Sequence, residues 1–213
     1  RVETERVTTI QGIGDVQFDL NYTLIDQSDS IKVTWKNLLQ IGGGIQLPTG
    51  KYQQRDETKL MLPSAFQIGS GAYAFNVNLM HTIRYKSWGL NSNLRYIFIG
   101  ENELTYNYGN QAHATFNFFY WAKYGNVALL PSVGLGFDYY GKDYQYEHVK
   151  ETTGGSLFNF NAGFDIYINK LLINTFVQVP LSQDIPVAQA AANFIAGAGI
   201  SMFFEKKQKS NPM

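Results

Sequence analysis

Few side chains in this sequence could do covalent or metal chemistry. There are 3 His and no Cys, which removes disulfides, thiolate metal sites and cysteine nucleophiles together. His81, His113 and His148 are scattered, and no two of them stand at i, i+2 on one strand face, the spacing a β-sheet metal pair would need. No GxSxG element places a serine on a strained turn beside a base. A Ser-His-acid site would also need an oxyanion pocket converging on that serine. The glycines of LQIGGGIQLPTGKY (39–52) invite a phosphate-loop reading. A P-loop, however, is followed by Ser or Thr and opens a helix, and here Tyr52 follows Lys51 and no helical pattern begins. Gly42, Gly43 and Gly44 read instead as close backbone approach or curvature inside a strand. The expectation is a non-enzyme with no catalytic residue, no metal site and no cofactor.

Composition turns attention from reaction to environment. The chain has 213 residues, enough to bury a full core as one domain. Charged residues make up 16%, well under the roughly 25% usual in soluble domains. Aromatics reach 15%, with 14 Tyr and 15 Phe, while 17 basic and 17 acidic residues cancel. That balance creates no field for nucleic acid, and no nucleic-acid partner is expected. Mean hydropathy is −0.20, and no apolar run approaches the roughly 18 residues of a spanning helix. The chain opens on the polar RVETERVTTI, so it reads either as a mature chain or as a segment that begins inside a longer one.

The strongest signal is alternation of period two. Val16, Phe18, Leu20, Tyr22 and Leu24 share one face, and Asp15, Gln17, Asp19, Asn21 and Thr23 share the other. The same split recurs in AFNVNLMHTIRY, LNSNLRYIF and HATFNFFYW. It predicts nine strands, near 14–25, 33–48, 72–86, 89–99, 111–123, 127–140, 155–168, 171–180 and 192–204. Short turns at Lys86-Ser87-Trp88-Gly89, Tyr124-Gly125-Asn126 and Asn169-Lys170 alternate with long polar connections at 49–71, 100–110, 141–154 and 181–191. Long strands joined alternately by short turns and long loops describe an all-β, antiparallel, up-and-down transmembrane β-barrel.

The polar face is mostly Asn, Gln, Thr and Ser, whereas the apolar face is aromatic and nearly free of charge. A wet lumen with a lipid-facing exterior fits that pairing. The rival is a lipocalin-like soluble barrel or a sandwich. The lumen-facing candidates are Lys36, Arg84, Arg95, Asp15, Asp19, Asp138 and Asp165, with Asn76, Asn78, Asn91, Asn93, Asn117, Asn159 and Asn161. These groups either line a polar pathway or satisfy one another in a plugged interior. Tyr22, Trp35, Tyr85, Trp88, Tyr120 and Tyr124 should lie at the short-turn level, and Tyr73, Phe98, Phe137, Tyr139 and Phe158 at the other. His81 falls on the apolar face, and His113 on the lumen side.

The last strand carries Phe194, Ala196, Ala198, Ile200, Met202 and Phe204 on one face. Gly199, Met202 and Phe204 resemble the terminal strand read by the outer-membrane insertion machinery. A polar tail, 205–213, follows the single barrel domain, 1–204.

In order along the chain, GIGDVQFDLNY, LQIGGGIQLPTGKY, LPSAFQIGSGAYAF, RYKSWGLNSNLRY, YNYGN, FFYWAKYGNVALLPSVGLGF, TGGSLFNFNAGFDIYI and VQVPLSQ resemble the outer-membrane barrels named for the meta-pathway of phenol degradation, in their Bacteroidetes form. IGSG at 68–71 departs from that family's usual GTGS. The resemblance implies a cell outer-membrane location in a Gram-negative bacterium and a passive, porin-like transport role for small solutes, hydrophobic or aromatic ones among them. It also implies further strands upstream. Parity agrees, since nine strands cannot close an even-numbered antiparallel barrel, and the expected total is about 12. The other function class is a structural or accessory barrel in an envelope complex, binding protein partners through loops 49–71 and 141–154.

Overall fold

The structure is a computed structural model and describes residues 11–28, 34–55, 58–186, 191 and 193–203. The strands are β1 (Val16–Asp26), β2 (Trp35–Leu47), β3 (Ala74–Tyr85), β4 (Trp88–Ile99), β5 (Tyr106–Asn107), β6 (Gln111–Tyr120) and β7 (Ala122–Tyr124). They continue as β8 (Val127–Tyr140), β9 (Tyr144–Gln145), β10 (His148–Val149), β11 (Gly155–Ile168), β12 (Leu171–Asp184) and β13 (Ile195–Met202). Among the described residues no helix is long and apolar enough to cross a membrane, a statement that does not bear on crossing by strands.

Nine long strands form one antiparallel sheet in the order β1-β2-β3-β4-β6-β8-β11-β12-β13, so each pairs with the next long strand in the chain. This is the up-and-down meander that the alternation implied, and it curls into a half-barrel. Curvature is visible in one contact. Arg95 on β4 reaches Asp19 on β1 at 3.3 Å, although three strand spacings would hold them about 14 Å apart in a flat sheet. The polar face is therefore the concave one.

Glycine makes that bend possible. A Cβ on Gly42 would stand 1.9 Å from Asn21 Oδ1, and one on Gly44 would stand 2.3 Å from Asp19 Oδ1. The bare backbone of β2 is the floor across which β1 and β3 side chains meet.

Two departures from the expected strands have local causes. The fifth segment is interrupted at Trp121, although Phe119↔Ser132 and Ala122↔Leu129 keep one register. Pro131 falls opposite Tyr120, the last residue before that gap, and has no N–H to give the ladder. The eighth strand does not stop at Pro180 but runs on to Asp184, with a register shift between Phe158 and Asn159 opposite the proline absorbing the defect. The short connections are two-residue turns whose first residues, Lys86, Gly125 and Asn169, have φ of 54°, 58° and 54°. Asn and Gly take that conformation readily, and Lys86 bears its cost.

The long connections are more ordered than their polarity suggested. β10, β9 and β5 form a second, three-stranded sheet that joins loops 100–110 and 141–154. Loop 49–71 adds a 3-10 turn at Ser64–Phe66, and Ser64 Oγ donates to Tyr106 Oη at 2.7 Å.

Burial is inverted relative to a water-soluble barrel. Asn76 and Asn161 on the concave face are 5% and 6% exposed, while Phe75 and Phe116 on the convex face are 56% and 46% exposed. One apolar cluster breaks the pattern. Phe119, Ala128 and Leu130, with Trp121 and Tyr167 packed against them, sit on the concave face near the short turns.

Candidate functional site

Strand register settles which side chains share the concave face. Asp19 pairs with Gly44, which pairs with Asn76; Asn78 pairs with Arg95, Arg95 with His113, and His113 with Asp138. Lys36 pairs with Arg84, Asn93 lies between Met80 and Thr115, and Asn117 lies opposite Asn91. Asn161 stands opposite Gly134, and Asp165 opposite Leu130. All the charged and amide candidates named from the sequence thus project from one surface, but they form separate groups rather than one site.

At the loop end, Asp15 is an anchor. Its carboxylate accepts from the Gly50 amide at 2.8 Å, the Ser70 amide at 2.8 Å, Ser70 Oγ at 2.7 Å and Gln46 Nε2 at 3.1 Å. Burial works against its charge, yet the hydrogen bonds from Ser70, Gly50 and Gln46 outweigh burial and hold its pKa below 3.8. This carboxylate ties both ends of loop 49–71 to the entry of β1.

Midway along the face, Asp19 accepts from Asn76 Nδ2 at 2.9 Å and from Arg95 at 3.3 Å. Beside it, Asp138 accepts from Asn159 Nδ2 at 2.6 Å and pairs with His113 Nδ1 at 2.8 Å. The other ring nitrogen, His113 Nε2, faces Gln111 Oε1 at 3.3 Å, so the His-Asp pair is enclosed by amides rather than aimed at a hydroxyl nucleophile. Gln178 Nε2 donates to Asn161 Oδ1 at 3.0 Å. Asn76 Oδ1, Asn78 Oδ1, Arg95 Nε, Asn117 Oδ1 and Asn161 Nδ2 are buried and make no hydrogen bond to protein. Polar interiors meet such demands with water.

Two cavities flank this belt. The loop-end one, of about 870 Å³, is lined by Tyr52, Leu62, Tyr106, Tyr108, Tyr140 and Lys150, among others. Of the apolar stretch 60–63, Met61, Leu62 and Pro63 turn toward it, whereas Leu60 is exposed. Tyr106 Oη donates to Asp143, and burial pushes the Tyr108 phenol up to about 12, with the Asp143 and Asp15 charges adding to it. The turn-end cavity, of about 590 Å³, contains Lys36, Arg84, Lys123 and Asp165 against a wall of Phe119 and Tyr167. Lys36 Nζ donates to Ser28 O at 2.8 Å, and the Arg84 guanidinium lies 5.0 Å above the Trp121 ring.

The convex face has its own order. Trp35, Tyr85, Trp88 and Tyr120 form one row across β2, β3, β4 and β6, with ring centroids 4.9 Å apart at Trp35–Tyr85 and 4.6 Å at Trp88–Tyr120. Tyr73, Phe98, Phe137 and Tyr139 are exposed toward the loop end. His81 interrupts the apolar surface and pairs with Asn37 at 3.3 Å. In β13, Gly199 lies opposite Asn174 and Met202 is exposed, while Phe204 and the tail 205–213 lie outside the described residues.

Sequence reasoning missed Lys123, Gln46, Ser70 and the concave aromatic group. Phe119 and Trp121 could have been found, because they continue the parity of His113, Thr115 and Asn117. Gln46 also has the parity of Lys36 and Gly44, but Ser70 lies in a loop, and their meetings with Asp15 span 31 and 55 residues. Among the described residues no group of three His, Cys, Asp or Glu could hold a metal ion. No protein-family model matches the chain, and no curated protein matches it.

Proposed function

We propose that this chain is the larger part of an outer-membrane β-barrel of a Gram-negative bacterium, of the Bacteroidetes type, acting as a passive channel for small solutes. Hydrophobic or aromatic solutes are among those expected, on the strength of the sequence resemblance to the phenol-pathway barrels. The observation that carries the reading is the inverted burial: buried amides on the concave side, exposed rings on the convex side. In water that arrangement would leave a large aromatic surface unsatisfied, whereas in hydrocarbon it is the favourable one. Phe75 and Tyr85 on β3 are ten residues apart. That is about 33 Å along the strand and about 25 Å of depth at a tilt near 40°, the height of an outer-membrane apolar band.

The sheet needs closing strands. Nine antiparallel strands leave β1 and β13 pointing the same way, so a fully antiparallel wall requires an odd number more. We place them in the same polypeptide. An intact mass well above 24.1 kDa for the natural protein is expected, and a mature mass of that size would remove the idea. Transport is tested by reconstituting the natural protein in planar bilayers and liposomes, where stepwise conductance and solute uptake are expected.

A second reading rests on the contacts inside. Asp19–Arg95 and the Asp138–His113–Asn159 group reach across the concave face and fill space there. A non-conducting accessory barrel would use them as a plug. Absent conductance together with a stoichiometric companion in mild detergent selects that reading.

A further inference from the structure

We propose that the turn end of the concave face is an anion-binding pocket, which holds a small solute by its carboxylate or phosphate group between Lys36, Arg84 and Lys123. The proposal deepens the channel reading and rests on it for the water that reaches the site.

Among the described residues the turn-end cavity is lined by three cations and a single carboxylate, Asp165. Asp26 lies close by on β1, but its carboxylate already accepts from the Ser28 amide at 3.1 Å and from Ser28 Oγ at 2.6 Å. Asp165 makes no ion pair with any described cation. Lys36 and Arg84 stand directly opposite each other on neighbouring strands. Like charges in that position destabilise a sheet, and one acidic residue at either place would relieve the cost. Folding stability therefore does not explain the pair.

The donors are also underused. Among the described residues Lys36 spends one of its three N–H groups on Ser28 O, and Arg84 donates to Lys86 O alone, at 3.4 Å. A guanidinium with free N–H groups is matched to the two oxygens of a carboxylate or phosphate. The wall of Phe119, Leu130 and Tyr167 lowers the local dielectric and concentrates the field of the cations into the cavity. Farther up the same face, by contrast, Arg95 and His113 each have an acid within 3.3 Å.

Trp121 beneath Arg84 provides the reporter. In the natural protein, with every other tryptophan replaced by Phe, Trp121 emission is titrated with iodide and with caesium at low ionic strength. The ratio of iodide to caesium quenching constants should be about tenfold higher than in the Lys36→Gln/Arg84→Gln variant, because the cationic cleft enriches one ion and excludes the other. Lys123→Gln changes an exposed side chain, leaves folding intact and should lie between the two. A ratio that neither substitution moves overturns the site. Bilayer recordings keep the two claims apart: conductance with an unmoved ratio removes the anion site alone, and a retained ratio without conductance removes the channel alone.

Discussion

Asp15, Asp19 and Asp138, from the loop end to the middle of the concave face, each accept several hydrogen bonds, and Arg95 and the His113 ring are held against Asp19 and Asp138. At the turn end, Lys36 and Arg84 stand opposite each other on neighbouring strands, and neither makes an ion pair with a described acid. In one region Arg95 and His113 are each paired with a carboxylate, and in the other Lys36 and Arg84 stand together without an ion pair among the described residues. Both lie on one sheet, on strands of the same alternating pattern, so the difference comes from which residues the register brings opposite one another. Paired charges stabilise the sheet, whereas charges left without a partner are the ones we propose for an arriving anion.

That contrast predicts opposite signs for matched substitutions, measured as urea midpoints of the reconstituted protein. Asp138→Ala strands His113 and Asn159 and should cost about 2–3 kcal/mol, the usual loss for hydrogen bonds to a charged acceptor. A midpoint equal to wild type would remove the network description. Gly44→Val forces a side chain against Asp19 Oδ1 and the Phe18 carbonyl, at 2.3 and 2.4 Å from its Cβ. A loss of about 2 kcal/mol is expected from overpacking, and full stability would mean that the β2 floor is not the tight crossing described.

Asp15 supplies a pH test of the loop anchor. Its folded pKa is depressed, so the stabilisation is complete above the ordinary value of 3.8 and is lost as pH falls through the lower folded value. Protection of the Gly50 and Ser70 amides, taken relative to the intrinsic exchange rate at each pH, should fall in that window in wild type. In Asp15→Asn it should be low at every pH, and protection persisting through the acid range in wild type would break the argument. The smallest effect is at the turn end. Lys36→Gln should raise the midpoint slightly, by about 0.3 kcal/mol, because it removes a like-charge pair. A clear loss there would erase the distinction between the two regions.

Strand identity, the division of side chains between two faces and the short turns were all legible in the chain. Alternation is a property of neighbouring residues, and Asn169-Lys170 or Gly125-Asn126 announces its turn within a few positions. The concave membership of Lys36, Arg84, Asn117 and Asp165 followed from the same parity. The extension of β12 past Pro180 was not legible, because a bulge opposite the proline absorbed a defect that reads locally as a stop. Nor was the sheet formed by β5, β9 and β10, whose two-residue strands are too short to show a period.

Local pattern, then, assigned each side chain to a face, because the direction of a Cβ in a strand depends only on its place in the alternation. It could not say that Lys36 would stand opposite Arg84, that Arg95 would reach Asp19 across 76 positions, or that Asp15 would hold Ser70. Those meetings depend on register and curvature, which belong to pairs of distant segments and are set when glycine-floored strands bend and dock. Whether a charge on this surface is neutralised or left open is therefore decided by the folded sheet.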